Sequence, residues 1–147
     1  MTQRNPWMLA AAGANALAAL LHLACIAVGA SWYRTMGAGE AMARMAERGD
    51  MTPTIATTGI ALVLFAWSLY ALSAAGAIRR LPLVRPMLWT ITGVYLLRGV
   101  VGLLIAPSAA IGRTETFWWW SSAICLVFGA IHLVGLRPQH GWMKPMT

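Results

Sequence analysis

Acidic residues are scarce in this chain of 147 residues, which has four Asp and Glu against eleven Lys and Arg. Charged residues make up 10% of the chain, whereas ordinary soluble domains have about 25%. Long polar stretches are missing as well, because 59% of the residues are apolar. This composition excludes an ordinary water-soluble domain.

Cysteines and catalytic motifs are also few. The two cysteines, Cys25 and Cys125, lie inside apolar stretches, which excludes a secreted disulfide framework and leaves no cysteine pair for a quinone-reducing thiol oxidoreductase. The chain has no Ser-His-Asp set, no H-E-x-x-H motif and no phosphate-binding glycine loop followed by Lys. All four acids fall in predicted loops, which disfavours acid–base catalysis by carboxylates.

Four long apolar stretches account for most of the chain, at 7–30, 54–78, 86–106 and 117–136. Each has about the 20 residues that a helix needs to cross a hydrocarbon core of roughly 30 Å. No strand-like alternation is present, so we predict helices rather than a barrel. The first stretch is longer than the core of a signal peptide, and we predict that it is retained. The sequence thus predicts an all-α integral membrane protein, a single domain of residues 1–147 with four transmembrane helices in an up-down bundle.

The basic residues predict the orientation of these helices. Six of them, with no acid, lie in the N-terminus, the second connection and the C-terminal tail: Arg4, Arg79, Arg80, Arg85, Arg137 and Lys144. In the first and third connections four arginines are balanced by four acids. We therefore predict cytoplasmic termini and a multi-pass protein of a plasma membrane, and the excess of Arg over Lys suggests a bacterial inner membrane. The net charge of +7 is attributed to topology, and no nucleic-acid partner is expected.

The tryptophans frame the predicted spans. Trp32 and residues 118–120 mark the outer boundary, while Trp7, Trp89 and Trp142 mark the inner one, as in an aromatic belt. Trp67 falls near the middle of the second span, where its N–H needs a partner within the bundle.

The first connection contains an amphipathic segment at about 38–48. Its apolar residues recur at i, i+3, i+4, i+7 and i+8, and they are Ala38, Ala41, Met42, Met45 and Ala46. Charged residues take the opposite face, and Gly49 is predicted to end the helix. We predict a short external helix that lies along the membrane interface or folds over the mouth of the bundle. Glu40 and Arg44 are candidates for a lid or an anchor.

One permanent charge, Arg98, lies inside a predicted span. A charge isolated in hydrocarbon costs at least about 2.5 kcal/mol, so such a residue is a functional-site hypothesis by default. No span contains a carboxylate to neutralise it, and Glu40 reaching down from the amphipathic segment is the alternative partner. An unpaired guanidinium suits a carboxylate or a phosphate. We therefore predict a small outward-opening pocket for an anionic or strongly polar group, with Arg98 as its anchor.

Polar residues of three predicted helices share the outer half of the bundle with Arg98 or lie on the same helix faces. The predicted ligand-binding residues are Arg98, His22, Tyr95, Ser121, Ser122 and Asn15. Another polar residue, His132, is predicted nearer the cytoplasmic side, at the level of Asn15. In the alternative interpretation these residues only hold the helices together through hydrogen bonds.

No cofactor is predicted from these residues. His22 and His132 are separated by roughly 13 Å in depth, which is too far for both to ligate one haem iron in a monomer. His22, Cys25 and Cys125 are weak candidates for a zinc or copper site, which usually takes three or four such ligands.

Three classes of function remain open on the sequence. The first is a non-enzymatic protein that binds, or transports, a small anionic or amphipathic molecule. The second is an accessory or assembly subunit of a membrane complex, with the amphipathic segment as its partner surface. The third is a membrane enzyme or redox protein that acts on a lipid or a quinone, with His22 as proton carrier. Membrane lipids surround the protein in every case, and transport through so thin a bundle requires a homo-oligomer or a complex partner.

Overall fold

The computed structural model describes residues 4–108 and 113–137 and is helical throughout, with no strand in this part of the chain. The helices are α1 (Pro6–Val28), α2 (Ala30–Thr35), α3 (Glu40–Glu47), α4 (Thr52–Ala74), α5 (Val84–Ile105) and α6 (Glu115–Leu136). A 3-10 turn at Ala106–Ser108 follows α5. Four helices, α1, α4, α5 and α6, are long and apolar enough to span a membrane. The predicted all-α fold with four long apolar helices is confirmed.

Helices that follow one another along the chain pack as neighbours. The two most extensive helix contacts are those of α1 with α4 and of α5 with α6. Smaller contacts of α1 with α6 and of α4 with α5 close the four helices into a ring. The pairs α1–α5 and α4–α6 therefore lie on the diagonals of the bundle. A side chain that crosses a diagonal lies at the bundle centre. Large apolar side chains such as Leu62, Leu97 and Leu104 are exposed around the outside, as expected where lipid tails take the place of water.

One residue, Asn5, ties the start of α1 to the ends of α4 and α6. Its Oδ1 accepts the backbone N–H groups of Trp7 and Met8 at 3.1 and 3.2 Å, which caps α1. Its Nδ2 donates to the carbonyl of Gly135 at 2.9 Å, and its backbone N–H donates to the carbonyl of Ala75 at 3.3 Å. We call this end of the bundle the Asn5 end. Asn followed by Pro before an apolar run is the pattern that predicts such a cap.

The connection between α4 and α5 differs from the predicted one. α4 ends at Ala74 rather than at residue 78, because Gly76 with a φ of +72° turns the chain out of the helix. Pro82 therefore lies outside α4 and does not terminate it. α5 begins at Val84, two residues before Pro86, so the proline falls in the first helical turn, where it is tolerated.

The predicted amphipathic helix is present as α3, and its buried face overlaps the predicted one, because Ala38 and Ala46 are partly buried against the cluster that contains Ala43. Ala43 is completely buried beside Tyr33 and Cys25, whereas Ala41 is exposed. Ala43 is the most buried residue of α3 because α2 and the end of α1 pack against it. The periodicity of α3 does not reveal which helices are its neighbours. The helix ends at Glu47, and Gly49 follows with a φ of +75°, as predicted.

The turn between α2 and α3 is fixed against the start of α6. Gly37 has a φ of +83°, and a Cβ there would lie 1.8 Å from Cδ2 of Phe117, so a glycine is required. α2 and α3 therefore cover the end of the bundle at which α6 begins, which we call the α3 end. Trp142, Lys144 and residues 109–112 of the third connection lie outside the described residues.

Candidate functional site

The predicted site residues fall into two groups and one separate position. The central network consists of Asn15 and Tyr95, joined by His132. The Arg98 cluster consists of Arg98, Ser121 and Ser122, with Gly102 and Trp118 beside them. His22 is bonded to neither group among the described residues.

The central network is a chain of hydrogen bonds across the bundle. The Tyr95 hydroxyl donates to Oδ1 of Asn15 at 2.5 Å. The Asn15 amide donates to the carbonyl of Ala11 at 2.9 Å and lies 3.2 Å from Nε2 of His132. Nδ1 of His132 lies 2.8 Å from the carbonyl of Phe128, which only accepts, so the proton sits on Nδ1 and Nε2 accepts from the amide. Each donor hydrogen of the network thus has an acceptor while the histidine is neutral.

Aromatic rings enclose this network. The ring of Tyr95 packs edge-on against Trp67 and Phe128, at centroid distances of 5.1 and 5.4 Å, and lies 5.6 Å from the ring of His132. Tyr95 therefore contacts side chains of α1, α4 and α6 from its place on α5, and Asn15 and His132 are completely buried. His132, which is not among the predicted ligand-binding residues, belongs to this group because it faces Asn15 across the α1–α6 contact. A saturated, buried network of this kind fixes the packing of the helices.

The Arg98 cluster lies on α5 and α6, toward the α3 end. Nη2 of Arg98 donates to Oγ of Ser121 at 3.2 Å, and the guanidinium carbon lies 4.9 Å from the ring centroid of Trp118. Nη1 of Arg98 is buried and has no hydrogen-bond partner among the described residues. Among the described residues, Nη2 of the guanidinium therefore has a hydrogen-bond partner and the buried Nη1 has none.

A second buried polar atom, Oγ of Ser122, lies near Nη1 of Arg98. Ser122 is completely buried, and its Oγ also lacks a partner among the described residues. A Cβ at Gly102 would lie 2.1 Å from Oγ of Ser122 and 2.6 Å from Nη1 of Arg98, which limits the separation of these two atoms to at most about 4.7 Å. One acceptor oxygen can lie within hydrogen-bonding distance of both. The hydroxyl of Tyr33, beneath α3, is the other buried polar atom without a partner in the described part of the chain.

The carboxylate of Glu40 is engaged elsewhere. Arg34 donates to it through Nε at 2.8 Å and through Nη2 at 3.2 Å, and Arg44 donates through Nε at 3.0 Å. Arg34 also pairs with Glu47 at 2.8 Å. The hydrogen bonds from Arg34 and Arg44 hold the pKa of Glu40 at about 2. Glu40 therefore stabilises the α2–α3 corner and does not neutralise Arg98, so that alternative is wrong.

Arg113 is a cation that the sequence indicated only as a loop residue balanced by Glu115. Its guanidinium carbon lies 4.8 Å from the ring centroid of Phe117, and Glu115 instead accepts from Nε1 of Trp119 at 3.1 Å. Burial and, second, the charge of Arg98 lower the pKa of Arg113. At the α3 end, the guanidinium groups of Arg98 and Arg113 are thus close enough to interact electrostatically. Their proximity results from the packing of α5 on α6 and could not be predicted from the sequence.

The other candidates are isolated from these groups. Nδ1 of His22 lies 2.7 Å from the carbonyl of Ala18 on its own helix. Cys25 is buried and Cys125 partly buried, and both are free. Within residues 4–108 and 113–137, no three His, Cys, Asp or Glu side chains come together in a group able to hold a metal ion. The weak metal set of His22, Cys25 and Cys125 is therefore not assembled.

The Arg98 cluster is built from three kinds of group. It combines a permanent cation, a buried hydroxyl and an aromatic face, but the described side chains place no carboxylate base beside them. Comparison of the chain with protein-family models, with curated proteins and with solved structures found no match in any of the three. The function is therefore inferred from residues and geometry.

Proposed function

We propose that this membrane protein binds a small anionic or amphipathic molecule at the α3 end of its bundle, with Arg98 as the anchor. The observation that carries the proposal is a pair of buried atoms, Nη1 of Arg98 and Oγ of Ser122, that have no hydrogen-bond partner within residues 4–108 and 113–137. Buried polar groups are nearly always paired, and an unpaired one costs about 1–3 kcal/mol. A carboxylate or phosphate oxygen accepts from both and removes this cost.

The surroundings of the pair favour a negative ligand. Arg113 adds a second positive charge, and its lowered pKa reflects burial together with the nearby charge of Arg98. An anion between the two guanidinium groups relieves their mutual repulsion. The ring of Trp118 supports the guanidinium of Arg98 by a cation–π contact and offers an apolar wall to the rest of the ligand.

Asn15 and Tyr95 serve the scaffold in this proposal, although the sequence suggested them as ligand contacts. Their donors are already bonded within the central network. A ligand that replaced those bonds would have to match their geometry in a completely buried position. Ser121 orients the guanidinium of Arg98, and Ser122 contacts the ligand.

The orientation that we propose places the Asn5 end in the cytoplasm and the α3 end outside. Arg79, Arg80 and Arg85 lie at the Asn5 end, and basic residues favour the cytoplasmic side. The site then opens outward beneath an external α3, in a bacterial inner membrane. In a variant that carries Cys25→Ala and Cys125→Ala, a cysteine added after residue 147 should be labelled by a membrane-impermeant maleimide only after the cells are opened, and labelling of intact cells would reverse the orientation.

Hexanoate is a suitable probe, with hexanamide as its neutral counterpart. We expect hexanoate, but not hexanamide, to raise the unfolding temperature of the purified protein in a neutral detergent. Arg98→Gln should weaken the response at least tenfold, because the charge-assisted hydrogen bond is lost. Arg4→Gln, which removes an exposed arginine at the Asn5 end, is the matched control and should leave the response unchanged.

Ser122→Ala keeps the experiment decisive if Arg98→Gln does not fold. Oγ of Ser122 has no hydrogen-bond partner in the part of the chain that the structure describes, so the variant should fold. We expect it to weaken the hexanoate response roughly ten- to a hundredfold, because one hydrogen bond to a charged group contributes about 1.5–3 kcal/mol. A response that survives in both variants would contradict the proposal and favour the accessory-subunit alternative, in which the polar residues serve helix packing alone.

A further inference from the structure

A cavity of about 340 Å³ opens at the Asn5 end, at the other end of the bundle from the Arg98 cluster. The ends of all four long helices contribute to its lining. Three arginines line it, Arg80 and Arg85 from the α4–α5 connection and the start of α5, and Arg137 after α6. Its volume lies within the range of small-molecule sites, about 300–1,000 Å³.

The charges around this cavity are all of one sign. All four acids of the chain lie at or beside the α3 end, with three of them in or next to α3 and Glu115 at the start of α6. In the described part of the chain, the ion pairs are confined to α2 and α3. The three arginines of the cavity therefore have no carboxylate partner there. Guanidinium groups gathered around a recess favour a phosphate, whose oxygens match their paired donors.

The walls of the cavity combine this charge with an apolar floor. Met8, Leu88 and Leu136 line it together with the arginines. Met8 and Leu88 are almost completely buried, so the recess reaches from the exposed arginines to the edge of the bundle core. A ligand that fills it has an anionic head and an apolar body.

Buried and partly buried hydrogen bonds hold the walls in place before any ligand arrives. Asn5 joins the start of α1 to Gly135 near the end of α6. Oγ of Ser73 accepts the backbone N–H of Leu81 at 2.9 Å and donates to the carbonyl of Arg79 at 3.3 Å, which fixes the connection that carries Arg80. A preformed site loses less entropy when it binds.

We propose that this cavity binds the phosphate-bearing headgroup of an anionic glycerophospholipid. The arginines surround the phosphate, and the first carbons of the lipid chains lie against Met8, Leu88 and Leu136. Free phosphate has the same charge but makes no use of the apolar floor, so a lipid accounts for both halves of the lining. The site is independent of the one proposed around Arg98.

The test is native mass spectrometry of the purified protein, released from a neutral detergent after incubation with phosphatidylglycerol or with phosphatidylcholine. We expect one phosphatidylglycerol to be retained at activation energies that remove phosphatidylcholine. The triple variant Arg80→Gln, Arg85→Gln, Arg137→Gln should lower the affinity for phosphatidylglycerol at least tenfold. Arg79→Gln is the matched control, because Arg79 adjoins Arg80 without lining the cavity, and it should change the affinity less than twofold.

Ala74→Phe distinguishes lipid binding inside the cavity from lipid binding to a charged surface, because the phenyl ring fills the recess while every arginine is kept. We expect it to lower phosphatidylglycerol affinity at least fivefold. Wild-type affinity in the triple variant, or in a folded Ala74→Phe, would overturn the proposal. Displacement of the lipid by millimolar inorganic phosphate would overturn the lipid assignment and indicate a site for soluble phosphate. Arg98→Gln should retain the lipid, which distinguishes failure here from failure of the hexanoate site.

Discussion

Tyr95 and Arg98 lie one helical turn apart on α5, yet they belong to polar groups of opposite kinds. The hydroxyl of Tyr95 enters the central network, where each donor hydrogen has an acceptor. The guanidinium of Arg98 bonds Ser121 on one side, while its Nη1 has no partner among the described residues. Both groups are polar, and both lie among apolar helices. The comparison shows that the pairing of the polar atoms, more than their presence, separates a scaffold from a candidate site.

The largest effect should come from breaking the central network. Asn15→Leu removes the acceptor of the Tyr95 hydroxyl and the donor to His132 at once, in a completely buried position. We expect a loss of about 2–3 kcal/mol of unfolding free energy, since unpaired buried groups cost about 1–3 kcal/mol each. Unfolding of the protein in mixed micelles with increasing dodecyl sulfate measures it. Thr90→Val, at an exposed position of α5, is the control, and equal stability of the two variants would remove the scaffold role.

Gly102→Ala should have the next largest effect, because it tests the space within the Arg98 cluster. The added Cβ would lie 2.1 Å from Oγ of Ser122, so the side chains around it must move. We expect a loss of about 1–2 kcal/mol from overpacking, together with loss of the hexanoate response. At Gly93, on the same helix, a Cβ meets nothing within 4 Å.

Gly93→Ala is therefore the matched control for Gly102→Ala. It should gain up to about 1 kcal/mol, because alanine is the better helix former. Thermal unfolding of both variants gives the comparison. Equal effects at the two glycines would show that the Arg98 cluster is not closely packed around Gly102.

A pair of serines sharpens the contrast between bonded and unbonded hydroxyls. The Ser68 hydroxyl donates to the carbonyl of Ala12 at 2.8 Å, and Ser68→Ala should cost about 1 kcal/mol. Ser122→Ala removes a hydroxyl that has no partner among the described residues, and it should leave the stability unchanged or slightly higher. Chemical unfolding of both variants in the same detergent measures the difference, and a larger loss for Ser122→Ala would mean that its hydroxyl is already bonded.

The smallest effect concerns the exposed ion pairs of α2 and α3, which water screens. The pKa of Glu40 falls from an ordinary 4.5 to about 2 because Arg34 and Arg44 donate to the carboxylate. A lowered pKa in the folded state means that the contribution is present above pH 4.5 and is lost as the pH falls toward 2. Protease cleavage near α3 should accelerate slightly over that range. Glu40→Gln should reduce this acid dependence, with Glu47 and Asp50 left to titrate nearby, and an unchanged slope in the variant would assign it to those groups.

Depth along the helices was predictable, because the rise per residue is constant. The sequence therefore placed Arg98 near the level of Ser121, and the structure joins them at 3.2 Å. It also placed His132 near the level of Asn15, which it contacts. His22 was predicted at the depth of Arg98, yet its hydrogen bond goes to Ala18. Whether His22 reaches the Arg98 cluster depends on the rotation of α1 about its axis and on the diagonal placement of α1 and α5. Neither can be inferred from depth along the helix.

Among the cations, too, the sequence pointed to one residue, and the packing brought the others together. Arg98 stood out because it interrupts an apolar stretch, whereas Arg113 and the three arginines of the Asn5 end were indistinguishable from ordinary loop residues. Arg113 comes within electrostatic range of Arg98 through the packing of α5 on α6. Arg80 and Arg137 line one cavity although they are far apart in sequence, because Asn5 brings the ends of α1, α4 and α6 together.

By itself, the sequence determined that the chain forms four long apolar helices with a short amphipathic one between the first two. Apolar length and helical periodicity are properties of a single segment, so they can be read without knowledge of the neighbours. Only the tertiary structure decided which polar atoms form hydrogen bonds and which have no partner among the described residues. A hydrogen bond across helices requires two side chains to agree in depth, rotation and neighbouring helix at once, and only the packed bundle sets all three.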